Sequence, residues 1–138
     1  MSLNTIIETS QIIIPASDKE IYIHTKNKYA DIAFFWWTKE WNEFPWQTAM
    51  REIYEETDLI LWQEQLEFIE KSTNTLDHGT FKSTLYRTPI IKSLTWEWIQ
   101  RVSLEDLQIV DVTFMVSKED FLRRTNLALK NINRIYGT

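Results

Sequence analysis

Three glutamates stand close together in one segment that reads as a helix: Glu52, Glu55 and Glu56. Residues three and four positions apart are neighbours on a helix surface, and like charges at that spacing repel each other. A divalent cation would relieve this repulsion, since Mg²⁺ binds carboxylate oxygens and phosphate groups together. The pattern therefore indicates a metal site, with an acidic face solvated by water as the alternative.

Two further residues extend this cluster. Arg51 directly precedes the first of the three acids, and Glu43 lies eight residues before Arg51, just upstream of the predicted helix. A carboxylate and a guanidinium form strong, charge-assisted hydrogen bonds. We expect such a pair to tie the preceding loop to the helix, so that the loop ends beside the metal.

The composition restricts the class of protein. A chain of 138 residues, 43% of them hydrophobic, suits one domain spanning residues 1–138 with a single core. The net charge of -5 argues against binding to a DNA or RNA backbone, which favours a basic surface. The negative charge does not exclude a small nucleotide as substrate, because a bound metal can supply positive charge locally. Since the chain has no cysteine, disulfides and thiolate metal sites are excluded.

The sequence shows no sign of a membrane or of secretion. No stretch approaches the roughly 20 apolar residues that are needed to cross a bilayer. The first ten residues, MSLNTIIETS, lack the basic start and apolar core of a signal peptide. We therefore expect a cytoplasmic protein with no membrane partner.

Short strand-like segments surround two helical ones. A helix is predicted to begin at Pro45, where the missing N–H costs little, and its apolar stripe includes Ala49 and Ile53. A second long helix is predicted from Ser117, with Phe121 on its inner face, and a short helical turn at 103–107. Strands are predicted at 11–14, 20–25, 31–37, 59–62, 66–74, 80–87, 90–99 and 110–116. This order predicts an α/β (α+β) sandwich, with a mixed sheet flanked by helices.

The cluster and its spacing match a known family. The segment from Glu43 to Glu56 resembles the box of the Nudix (MutT-like) hydrolases. In it Glu43 is followed by seven residues and then by Arg51-Glu52-Ile53-Tyr54-Glu55-Glu56. The resemblance implies an α/β/α sandwich that hydrolyses a pyrophosphate bond, in a nucleoside diphosphate derivative or a nucleoside triphosphate, with Mg²⁺ or Mn²⁺.

The resemblance also implies roles for single residues. Metal ligands would be Glu52, Glu55 and Glu56, completed by a later acid for which Glu97 is the candidate. Either Glu52 or Glu56 would act as general base, while Arg51 and Glu43 would support the loop and the helix. Near the substrate, Trp36 and Trp37 could stack a nucleobase, and Glu40 matches an additional loop acid found in many members.

The glycines of the box are missing. Asn42 and Asp58 stand where two of them would be, and both residue types tolerate left-handed backbone angles. Trp36 and Trp37 stand at the opening Gly-Gly, and Trp41 also falls where a glycine would be expected, in a chain with seven Trp and only two Gly. One explanation is that the loop is rebuilt around aromatic residues. The other is that the source organism inserts Gly at these positions, because some genetic codes read the codon UGA as glycine.

Three functions are consistent with these observations. The first is an active Nudix pyrophosphohydrolase. The second is a Nudix-fold protein that binds a nucleotide or a partner with little turnover, because the box glycines are missing. The third is an interaction module that uses exposed aromatic residues. Homodimerisation, common among similar proteins, is a further expectation.

Overall fold

The computed structural model describes most of the chain. The described residues are 6–26, 31–33, 35–38, 42–76, 79–94, 99–109, 118–130 and 132. The strands are β1 (Ile6–Pro15), β2 (Glu20–Lys26), β3 (Asp31–Ala33), β4 (Phe35–Thr38), β5 (Glu67–Leu76), β6 (Gly79–Arg87) and β7 (Ile99–Ser103). The helices are α1 (Pro45–Thr57), α2 (Leu104–Ile109) and α3 (Lys118–Leu129), and a 3-10 turn covers Gln63–Gln65.

Strand β1 lies at the centre of the sheet. It pairs antiparallel with β4, with Ile12 opposite Phe35, and parallel with β6, with Ile13 opposite Arg87. Strand β5 continues the sheet beyond β6 in the antiparallel direction. The end of β1 also pairs antiparallel with β2, which in turn pairs with β3 and β7. The sheet is therefore mixed, as the sequence predicts.

Three consecutive isoleucines of β1 supply both faces of the core. Successive side chains of a strand point to opposite faces of its sheet. Ile12 and Ile14 accordingly pack in one cluster with Ala49 and Ile53 of α1. Ile13 packs in a second cluster with Phe121 and other residues of α3. Helices cover both faces of the sheet, which confirms the predicted α/β/α sandwich.

Most of the predicted elements occur, and β1 is longer than expected. The predicted strand at 59–62 is wrong: this segment is irregular and leads into the 3-10 turn. Leu61 is buried while Ile60 and Trp62 are exposed. Burial thus alternates as in a strand, although none of these residues pairs in the sheet.

The predicted strand at 90–99 is wrong over its first half. Residues 90–94 are not in a strand, and β7 begins only at Ile99. Ile91 instead binds two separate elements: its N–H donates to the Pro15 carbonyl at 2.9 Å, and its carbonyl accepts from the Tyr22 hydroxyl at 2.8 Å. Residues 95–98, the predicted strand at 110–116 and the helix start at Ser117 lie outside the described residues.

Candidate active site

The start of α1 is fixed to the central strand. The buried Ser10 hydroxyl of β1 donates a 2.7 Å hydrogen bond to the Pro45 carbonyl. The Phe44 N–H donates to Gln47 Oε1 at 2.8 Å, and the Phe44 carbonyl accepts from the N–H groups of Gln47 and Thr48. The Gln47 side chain thus satisfies the Phe44 N–H, one of the donors that a helix leaves unpaired at its start, and the Ser10 bond holds the first turn against β1. The helix therefore begins at Pro45, as predicted.

Glu43 and Arg51 form a two-pronged ion pair. Arg51 Nε donates to Glu43 Oε2 at 2.7 Å, and Arg51 Nη2 donates to Glu43 Oε1 at 3.1 Å. The buried Thr48 hydroxyl donates to the same Oε1 at 3.0 Å. Hydrogen bonding to the Glu43 carboxylate raises the pKa of Arg51 above its ordinary value, with a smaller contribution from Glu52. The segment before α1 is thus fastened to the second turn of the helix.

The same guanidinium gathers two of the other acids. Arg51 Nη1 donates to Glu52 Oε1 at 2.8 Å and lies 3.5 Å from both carboxylate oxygens of Glu55. Glu52 is mostly buried, whereas Glu55 is 55% exposed. The backbone of Glu56 lies in α1, but its side chain is outside the described part. Two of the predicted ligands therefore share one nitrogen on the outer side of α1.

The described acids suit a hard cation only in part. Among the side chains that the structure describes, no three metal-binding groups converge on one point. Glu52 and Glu55 offer the carboxylate oxygens that Mg²⁺ and Mn²⁺ prefer, and both lie at the Arg51 nitrogen. The remaining predicted ligands, the Glu56 side chain and Glu97, lie outside the described residues.

Two residues around α1 adopt left-handed backbone angles. Asn42, just before Glu43, has φ 69°, and Asp58, just after the helix, has φ 60°. They are the only residues other than glycine with positive φ in the described part of the chain. The Asp58 N–H donates to the Tyr54 carbonyl at 2.9 Å and closes the last turn. Both positions thus require the conformation that glycine adopts most easily.

The predicted substrate residues lie on the neighbouring strand or outside the described part. Trp36 and Trp37 are in β4, where they pair with Gln11 and Ser10 of β1. Their backbone is extended, so it does not require glycine. Glu40 is outside the described residues. Ser10 also binds the Pro45 carbonyl at the start of α1. The Trp37 backbone and the first turn of α1 therefore both lie next to Ser10.

Sequence comparisons do not identify the chain: no family model and no curated protein match it. Its structure is similar to solved structures. A MutT protein from Methanosarcina mazei matches with TM-score 0.72 and 12% identity, covering 91% of this chain and 96% of that one. A Nudix-family hydrolase from Clostridium perfringens matches with TM-score 0.67 and 16% identity, over 89% of this chain and 95% of that one.

This chain has the Nudix fold. A third similar structure, the Ap4A hydrolase of C. elegans, has TM-score 0.57 and 18% identity, covering 88% of this chain and 96% of that one. In this chain Glu52, Glu55 and Glu56 lie on helix α1. No helix among the described residues is long and apolar enough to span a bilayer.

Sequence reasoning missed two hydroxyl groups at the site. Thr48 binds Glu43, and Ser10 binds Pro45. The Thr48–Glu43 bond could have been predicted, because side chains near a helix start often bind the preceding segment. Thr48 lies five residues after Glu43 and near the start of a predicted helix. For Ser10, which is 35 residues from its partner, the sequence contains no comparable signal.

Proposed function

We propose that the protein is a metal-dependent hydrolase of a pyrophosphate bond, in a nucleoside diphosphate derivative or a nucleoside triphosphate. The observation that carries this proposal is the Glu43–Arg51 ion pair, which holds Glu52 and Glu55 together on α1 of a Nudix fold. The 12–18% identity of the compared structures supports the fold alone, so the activity rests on the site.

In this proposal the acids of α1 hold Mg²⁺ or Mn²⁺. Glu52, Glu55 and Glu56 would provide the ligands, and Glu97 would complete the set. When bound, such an ion neutralises phosphate charge and lowers the pKa of water. Arg51 keeps Glu43 and the preceding loop in place, and either Glu52 or Glu56 accepts the proton of the attacking water.

The substrate contacts are proposed beside β4. Trp36, Trp37 and Glu40 would face the nucleoside part of the substrate, where aromatic rings stack bases. Since one similar structure is an Ap4A hydrolase, dinucleoside polyphosphates belong among the compounds to be tested, together with nucleoside triphosphates and nucleoside diphosphate sugars.

The second candidate, binding without turnover, rests on the missing glycines. The positive φ of Asn42 and Asp58 weakens it, because both residues adopt the backbone conformation that glycine would supply. The extended backbone of Trp36 and Trp37, which does not require glycine, argues against it in the same way. We therefore prefer the active hydrolase.

A nucleotide panel tests the proposal. Release of phosphate or pyrophosphate is measured with and without Mg²⁺, for the wild type and for Glu56→Gln. We expect turnover of at least one compound only with the metal, and a loss of about 10²–10⁴-fold in the variant, since general bases contribute about that much. The matched control is Glu64→Gln in the exposed 3-10 turn, which should keep wild-type turnover. Equal rates in Glu56→Gln and Glu64→Gln would refute the assignment.

Mass spectrometry of protein isolated from its native cells decides between the two explanations of the tryptophans. Trp at positions 36, 37 and 41 would show that the loop is rebuilt around aromatic residues. Gly at these positions would show that the gene is read with a different code. The panel should then be repeated with the glycine-containing protein.

Three further expectations stay predictions of the sequence. They are a single domain over residues 1–138, a cytoplasmic location and a homodimer. Limited proteolysis, cell fractionation and sedimentation velocity test them in turn.

A further inference from the structure

One tripeptide occurs twice in neighbouring strands. Lys-Ser-Thr stands at 71–73 in β5 and again at 82–84 in β6. The two copies pair with each other in antiparallel register, with Ser72 opposite Ser83 at the centre. An antiparallel pair has a local two-fold axis between opposed residues, so the two copies are related by this axis. The repeat therefore creates a small symmetric surface.

The lysines and threonines of the repeat occupy the same face of the sheet. The Ser72 hydroxyl accepts a 2.7 Å hydrogen bond from Arg124 of α3, so Ser72 faces α3. Because side chains alternate along a strand, Lys71 and Thr73 face the opposite side. Their register partners are Thr84 and Lys82, respectively. This face thus carries two Lys–Thr pairs, one on each side of the axis.

A cavity opens on this face beside the first turn of α1. Its volume is about 300 Å³, and its lining includes both lysines, both threonines, Ser10 and Pro45. This size is at the lower end of ordinary small-molecule sites. The two lysines are exposed, while Thr84 is buried. Thr73 is exposed as well, so the cavity offers two cationic groups and one hydroxyl at its rim and the Thr84 hydroxyl at its floor.

The local charge favours an anion in an otherwise acidic chain. Lys71 and Lys82 lie diagonally across the strand pair, a relation that places residues roughly 7–8 Å apart. Among the described residues that line the cavity, the remaining charged one is Glu8 of β1, opposite Lys82. Two lysines and one glutamate make this surface positive, whereas the whole chain has a net charge of -5. An anion between the ammonium groups would relieve their repulsion.

We propose that this symmetric Lys–Thr surface binds a phosphoryl oxyanion, with a diphosphate as the preferred form. A diphosphate has the same two-fold symmetry, and each of its phosphoryl groups would receive one ammonium and one hydroxyl donor. Lysine is a common phosphate ligand, and charge-assisted hydrogen bonds to it are stronger than neutral ones. The site is distinct from the carboxylates of α1 and does not depend on the proposed hydrolysis.

Titration followed by backbone amide NMR tests this site. The full chain is titrated with inorganic pyrophosphate, inorganic phosphate and ADP, in EDTA and at constant ionic strength. We expect saturable shifts centred on 71–73 and 82–84, with pyrophosphate binding at least tenfold more tightly than phosphate. Pyrophosphate binding without ADP binding would identify a free diphosphate as the ligand, and comparable binding of both would identify the diphosphate group of a nucleotide.

Matched lysine variants give the decisive comparison. Lys71→Gln and Lys82→Gln should each weaken pyrophosphate binding at least tenfold, while Lys19→Gln and Lys92→Gln, at exposed lysines elsewhere, should not. The thermal midpoint of each variant confirms that it is folded. Shifts that do not saturate, or equal weakening by all four variants, would overturn the proposal. Because the titration contains no metal, its outcome is independent of whether the carboxylates of α1 support turnover.

Discussion

Removing the Arg51 side chain should destabilise the fold much more than removing an exposed arginine. Arg51→Met eliminates two hydrogen bonds to Glu43 and one to Glu52. Glu43 keeps the Thr48 hydroxyl as a donor but loses these two bonds, at a position where only 17% of its side chain is exposed. A charged group that loses its partner at such a site is poorly compensated by water.

The expected size follows from the geometry. A hydrogen bond to a charged group contributes about 1.5–3 kcal/mol, and Arg51 makes two with Glu43. Since the Arg51 side chain is 28% exposed, water compensates part of the lost hydrogen-bond energy. We therefore expect a coupling free energy between Arg51 and Glu43 of about 2 kcal/mol, between the values for exposed and buried ion pairs. At about 2–4 °C per kcal/mol for a chain of this size, the thermal midpoint should fall by about 6 °C.

A double-mutant cycle measures this coupling. Urea unfolding of the wild type, Arg51→Met, Glu43→Met and the double variant gives the interaction free energy between the two side chains. The matched control is the cycle for Arg101 and Glu20, whose side chains are 45% and 33% exposed and share a 2.8 Å bond. That pair should give a clearly smaller coupling than Arg51 and Glu43, because water screens and competes with an exposed ion pair.

Two results would refute the reasoning. One is a coupling for Arg51 and Glu43 that equals that of the exposed pair. The other is an unchanged response to Mg²⁺ in Arg51→Met. In that variant Glu52 and Glu55 lose the guanidinium that holds them together, so Mg²⁺ should stabilise the variant less than it stabilises the wild type.

Three further predictions concern the surrounding structure. Asp58→Gly should stabilise the protein by up to about 1 kcal/mol in thermal unfolding, because φ is positive there, whereas Asp106→Gly within α2 should destabilise it by roughly a few tenths of a kcal/mol. Ser10→Ala should cost about 0.5–1.5 kcal/mol in urea unfolding, because it removes one hydrogen bond to the Pro45 carbonyl. Burial raises the pKa of Tyr86, so the folded state retains its phenol proton longer than the unfolded state does. Stability should therefore fall as the pH rises above about 10, and Tyr86→Phe should reduce this fall.

Features that depend on neighbouring residues could be predicted from the sequence. The start of α1 follows from Pro45, and the Glu43–Arg51 pair joins residues only eight apart. The buried strand β1 was visible as an apolar run at 11–14, although its polar first half was not. Elements of this kind are specified by the local chain, and their prediction needs no knowledge of the rest of the fold.

Features that depend on distant residues could not be predicted. The sequence at 59–62 has the alternation of a strand, but whether it pairs depends on a free sheet edge. The same limit applies to residues 90–94, where the hydrogen bonds of Ile91 to Pro15 and Tyr22 replace sheet pairing. The choice of β6 as the parallel neighbour of β1 is likewise set by the tertiary structure.

The order in which β1 meets its neighbours has a consequence for synthesis on the ribosome. Ile12–Ile14 is made before its neighbours in the sheet, and its register partners in β2 and β4 follow within about two dozen residues. The partner of Ile13 in β6 is Arg87, which is translated 74 residues later. At about 5–20 residues per second this takes about 4–15 s. During that interval the most apolar strand of the nascent chain lacks its parallel neighbour, so we expect it to be the segment that a ribosome-associated chaperone protects.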